Sequence, residues 1–65
     1  MSEELGPAES SLRRAEELLH RLEETRAKLE VTEEPEKAIE VMQELSEIAK
    51  EVEAAIEQAR REAGA

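Results

Sequence analysis

From Ala38 onward the apolar residues of this chain recur in steps of three and four: Val41, Met42, Leu45, Ile48, Ala49, Val52, Ala55, Ile56, Ala59 and Ala63. At about 100° per residue they fill an arc of roughly 140°, wider than the roughly 100° stripe with which a helix faces one core. The only other helix-length stretch lies upstream and is shorter. One neighbour of that size cannot cover the whole arc, so part of the stripe calls for another molecule. Assembly is the property this sequence makes legible.

The chain's size points the same way. Its 65 residues allow one domain at most. Below roughly 70–80 residues a single core rarely supplies more than about 3–5 kcal/mol, and a disulfide, a metal or oligomerisation makes up the rest. There is no Cys, which excludes disulfides and thiolate metal sites. There is no Phe, Tyr or Trp either, so the side chains that bury most area are missing. Self-association is the staple that remains.

All 18 acidic residues are Glu, and roughly two thirds of the chain is Ala, Glu, Lys, Leu or Arg. That exceeds the half that already signals long helices. These side chains lose little freedom in a helix and do not compete for backbone hydrogen bonds as Asp and Asn do. The net charge is −9, with Lys and Arg scattered. Such a field repels phosphate backbones and anionic headgroups, so nucleic acid and membrane are excluded as partners. No apolar run approaches the roughly 18–20 residues of a membrane span. The segment Met1–Leu5 lacks the basic and apolar parts of a signal peptide. The expectation is a soluble, cytoplasmic chain without a targeting signal.

Residues 1–6 read as an N-terminal tail ending at Gly6, with Leu5 folding back on the bundle. Pro7 suits the first helical position, and Glu9 suits the positive end of the helix dipole. Helix one is predicted over about 7–30, with Ala8, Leu12, Ala15, Leu18, Leu19, Leu22 and Leu29 as its apolar positions. The break falls at about 31–34, where Val31 and Thr32 are β-branched and Pro35 biases Glu34 away from the helical region. Helix two opens either with Thr32 as N-cap or with Pro35 in its first position. It is predicted to run to about residue 63, where Arg60, Arg61 and Gly64 supply stop signals and 64–65 form a tail. So short a connection makes the helices antiparallel neighbours. The fold class is all-α, an antiparallel two-helix hairpin that completes a helical bundle by self-association.

The wide stripe divides into two seams. One holds Ala38, Met42, Leu45, Ala49, Val52, Ile56 and Ala59; the other, turned to one flank, holds Val41, Ile48 and Ala55. With the first seam against helix one, the second faces outward, and Leu18 flanks helix one in the same way. The predicted oligomer interface is therefore Leu18, Val41, Ile48 and Ala55, together with Leu45 and Val52. Two hairpins stacked face to face bury both flanks in a four-helix bundle. The bland alternative is a loose monomeric hairpin with an exposed patch. Ala-rich seams also permit trimers or larger rings. Arg26 falls in the middle of helix one's apolar face. Either it snorkels from the open end of the bundle, or it pairs with a Glu of another chain and sets the register. Ile39 lies off the stripe, placed to pack on Val31 under the loop or to meet another chain.

Little chemistry is encoded. Glu17-Leu18-Leu19-His20 has the Glu-x-x-His spacing of carboxylate-bridged metal bundles. Leu18 and Leu19 take the inward directions, however, which leaves Glu17 and His20 solvated, so no metal site is expected. Nucleophilic catalysis lacks Cys and Asp, and one His is the only base for the Ser and Thr residues. Glu pairs on a solvated face have little reason for shifted pKa values. Both Gly residues sit near the chain ends, so no phosphate loop exists. The chain reads as a non-enzyme, without catalytic residues, cofactor or small-molecule ligand.

Glu as sole acid, the block Glu33-Glu34-Pro35-Glu36-Lys37-Ala38 opening a helix, repeated Glu-Ala-Ala-like surface blocks and a Gly-Ala tail give the chain a recognisable texture. It resembles de novo designed helical-bundle proteins. His20, Thr25, Arg26 and a loop without Gly depart from idealised designs and suit a trimmed natural hairpin. The resemblance implies a purpose rather than a native compartment: a symmetric homo-oligomer, or a binder presenting one helix face to a foreign protein. Binder hot spots are usually aromatic or Arg anchors, whereas this flank offers small aliphatics. That favours other copies of itself as the partner.

Overall fold

Residues 6–64 are described in the computed structural model; of the tail expected over 1–6, residues 1–5, including Leu5, lie outside the described residues, as does Ala65. The chain forms two helices, α1 (Pro7–Glu30) and α2 (Pro35–Gly64), packed as an antiparallel all-α hairpin. Each helix opens on a proline whose missing N–H costs nothing at that position. Gly6 is the extended N-cap of α1, and its carbonyl accepts the N–H of Ser10 at 2.9 Å. The Glu9 carboxylate accepts the Gly6 N–H at 3.3 Å, so the box is closed from the Glu side alone.

The loop settles how α2 begins. Val31 leaves the helix at φ −102° and ψ 3°, and its N–H still donates to the Lys28 carbonyl at 3.3 Å. Thr32 donates its N–H to Leu29 at 3.1 Å and its hydroxyl to the Lys28 carbonyl at 2.6 Å. Thr32 thus satisfies carbonyls at the end of α1 instead of capping α2. Pro35 takes the first position of α2, and Ala38 closes its first turn onto the Glu34 carbonyl at 2.9 Å. At the far end the helix includes Gly64, and no described glycine has positive φ. The left-handed stop expected there does not form; the exposed last turn simply continues by one residue.

The helices meet along rows spaced by seven residues. Ser11, Leu18 and Thr25 alternate with Ala15, Leu22 and Leu29 on α1. On α2, Val41, Ile48 and Ala55 alternate with Leu45, Val52 and Ala59. This 3.5-residue period keeps one seam facing the partner helix. Leu18 and Ile48 are each 2% exposed, and with Val52 they form the centre of the core, with Leu22 and Ala55 packed against it.

One side of the seam is charged. Arg14, Arg21 and Lys28 line α1 there, and Glu44, Glu51 and Gln58 line α2. Arg14 reaches Glu51 at 3.7 Å, with both side chains largely in water. Such a pair is worth at most about 1 kcal/mol, and its use is to favour this facing over others. Nearer the chain ends, Ser11 donates to Glu62 at 2.8 Å and Gln58 donates to the same carboxylate at 2.9 Å. Hydrogen bonds from Gln58 and then Ser11 hold the Glu62 carboxyl below its ordinary pKa. A depressed carboxylate stabilises the fold above the unfolded pKa and loses that contribution as pH falls through the folded one. Carboxyl NMR titration should therefore find Glu62 protonating below the ordinary glutamate value, and Ser11→Ala should raise its midpoint. An unshifted Glu62 would mean that the tie between Ser11 and α2 does not hold in solution.

The hairpin measures 50 × 24 × 11 Å, and its radius of gyration is 15.1 Å. A compact domain of this length would have a radius of gyration of about 11 Å. Its thickness is that of a single helix, about 10–12 Å. The molecule is one layer, so its core is a seam with two open sides.

Candidate functional site

The two sides of the seam differ. Leu12, Leu19, Met42 and Ile56 are 52%, 45%, 50% and 40% exposed, although all four are large and apolar. Leu12 and Leu19 are seven residues apart on α1, as are Met42, Ala49 and Ile56 on α2. Each row follows a buried row by one residue, a turn of about 100° around its helix. Viewed from one end, that turn is clockwise on α1 and anticlockwise on α2, because the helices are antiparallel. Both rows therefore land on the same side of the hairpin, opposite Arg14 and Glu51. Within the α2 row Ala49 is half-buried, and half-buried Leu45 lies between that row and the core. The result is one apolar face and one charged face.

The outward flank expected from the sequence is reversed. Leu18, Val41, Ile48 and Val52 are buried between α1 and α2, and Ala55 and Leu45 are half-buried there. Leu18, Val41, Ile48 and Val52 belong to the hairpin's own core, and Leu45 and Ala55 border it. Of the other seam, Val52 and Ala59 are buried as well, and Met42 and Ile56 are the members left exposed. Arg26 supplies the physical reason. It continues the Leu12–Leu19 row by seven residues, so turning that row toward α2 would carry a guanidinium into the seam. In the observed facing, Thr25 occupies the buried place at 8% exposure, and a hydroxyl is far cheaper to bury than a charge. Sequence reasoning missed Thr25 as a core residue. The spacing Ser11–Leu18–Thr25, set beside the opposite charges Arg14–Arg21–Lys28 and Glu44–Glu51, was the signal that could have found it.

Arg26 itself stays exposed at the edge of the apolar face. It donates to Glu30 at 2.7 Å and to Glu23 at 3.1 Å, both on its own helix. The Glu23 hydrogen bond and charge, followed by the charge of Glu30, raise its pKa further, so it is always cationic. Exposed pairs of this kind, on one helix and in water, add little to stability. Arg26→Leu loses them and extends the Leu12–Leu19 row. Thermal melts should show equal or higher stability, and light scattering an unchanged or tighter assembly. A smaller assembly would give Arg26 the register-setting role between chains.

Ile39 and Val31 do not cover each other under the loop; they are 52% and 78% exposed. Glu17 is exposed, and His20 lies 3.2 Å from Glu24, one turn along on α1. Among the described residues no three His, Cys, Asp or Glu side chains converge on a metal-sized site. Among the described residues, no helix is long and apolar enough to cross a membrane. The charged face carries an open groove between Ser11, Arg14, Glu51 and Gln58, too shallow to enclose a ligand. The feature that stands out is the apolar face. No protein-family model, curated protein or solved structure matches this chain.

Proposed function

We propose that this chain is a structural self-assembling protein whose apolar face is covered by a second copy, closing a four-helix bundle. The observation that carries this reading is the row of half-exposed Leu12, Leu19, Met42 and Ile56 on one side of a one-layer hairpin. A stable domain is built from at least two packed layers, and this chain supplies one. Its accessible surface is 5279 Å², whereas a compact protein of its mass exposes about 4,200 Å². The excess of about 1,000 Å² is close to the roughly 800 Å² per partner that a standard interface removes. A face of aliphatics without an aromatic anchor suits self-complementary packing better than a foreign hot spot. The role is one of assembly rather than catalysis, in keeping with the designed helical bundles the chain resembles.

Light scattering in line with gel filtration, repeated over a dilution series, tests this. The expected mass is about twice the 7.3 kDa of one chain at micromolar concentration, falling toward one chain on dilution. A mass of one chain at every concentration would overturn the reading and leave the face to a foreign partner.

A further inference from the structure

Two hairpins can stack apolar face to apolar face about two different twofold axes. If the axis runs along the helices, α1 of each copy rests on α2 of the other. If it runs across them, α1 rests on α1 and α2 on α2. Apolar packing alone does not choose, since either arrangement covers Leu12, Leu19, Met42 and Ile56. The rims beside the apolar rows do differ. On α1 the outer rim is Glu9, Glu16, Glu23 and Glu30, seven residues apart, all exposed and all negative. On α2 the corresponding rim is Ile39, Ser46, Glu53 and Arg60.

Resting on the self-association reading above, we infer that the copies dock with α1 over the partner's α2, about a twofold axis parallel to the helices. Stacking α1 on α1 would set that glutamate row against its own copy, with like charges opposed along the edge and Arg26 balancing only the Glu23 and Glu30 end. Such juxtaposition is the usual means by which a wrong pairing is rejected. Stacking α1 on α2 sets the same row against one glutamate, one arginine and two uncharged residues. In the antiparallel sense of the hairpin, Glu9 then lies toward the partner's end that carries Arg60. Ile39, exposed and off the main stripe, falls at the level of Glu30, where it places no charge against that rim. The chain's net charge of −9 makes the choice sharper, because a self-associating acidic chain gains most by keeping its densest acidic row away from itself.

The chain has no cysteine, so single-cysteine variants report the docking directly. Leu19→Cys and Ala49→Cys place one thiol on each apolar row at the same level of the hairpin. The two variants are mixed, oxidised under native conditions and separated by mass, with the assembled mass of each measured first. A disulfide needs Cα atoms within about 7 Å, which only directly stacked rows supply. The expected result is a product that is about nine-tenths mixed Leu19→Cys/Ala49→Cys disulfide, against about half for a statistical mixture. Leu12→Cys with Ile56→Cys should behave alike. Dimers that yield mainly like-with-like disulfides, or none from either pair, would overturn the docking while leaving self-association standing. Monomeric masses for the variants and for the unmodified chain would overturn both.

Discussion

Ile48→Ala should leave the chain largely unfolded at room temperature. Ile48 is among the most buried side chains, packed on Leu18 and Val52 at the centre of a seam with no aromatic residue to compensate. Truncating a buried Ile to Ala costs about 2–5 kcal/mol. A core of this size supplies about 3–5 kcal/mol in all, so one substitution removes most of it. Circular dichroism should show most of the helical signal lost, whereas Ile48→Val, at about 0.5–1.5 kcal/mol, should only lower the melting temperature. The result also separates two placements of Ile48. As an outward contact, its loss would dissociate copies and leave each hairpin helical. As the core residue seen here, its loss removes the hairpin itself. Wild-type helicity and melting in Ile48→Ala would contradict the observed seam.

Leu19→Glu combined with Ile56→Glu should have the opposite profile. Both positions are half-exposed in the single hairpin, where surface substitutions usually change stability by less than about 0.5 kcal/mol each. In the stacked pair both become buried, and an unpaired charge there costs several kcal/mol. Association should weaken more than about a hundredfold, since about 2.7 kcal/mol already corresponds to that factor. Sedimentation velocity should find a single chain at concentrations where the parent protein is a dimer. The parent's melting temperature should rise with concentration, and the variant's should not. A variant that still sediments as a dimer would mean that another surface holds the copies together.

These two variants mark where sequence and structure agree and where they part. The antiparallel hairpin follows from residues that act locally. Pro7 and Pro35 can only open helices, and Val31, Thr32 and the pre-proline Glu34 weaken what lies between them. The facing of the helices depends on residues far apart in the chain, and there the apolar pattern is ambiguous. A stripe of roughly 140° offers two seams of similar content. Val41, Ile48 and Ala55 are almost equal in apolar bulk to Met42, Ala49 and Ile56, so size does not choose between them. What separates the choices is polar. Arg26 cannot enter the seam cheaply while Thr25 can, and Arg14 finds Glu51 in only one of the two facings. Such pairings are legible only once both helices are set side by side in register. Thr32 is a similar case. Its residue type suits a cap on either helix, and the loop geometry gave it to the end of α1.

The central claim is that a second copy covers Leu12, Leu19, Met42 and Ile56, and methyl NMR on a mixed sample tests it most directly. Equal amounts of isotope-labelled and unlabelled chain are refolded together, and contacts between labelled and unlabelled copies are selected. The account predicts intermolecular contacts at the methyls of Leu12, Leu19, Met42 and Ile56, with Leu18 and Ile48 showing contacts within their own chain only. Intermolecular contacts centred on Leu18 and Ile48, or none at concentrations well above micromolar, would contradict it.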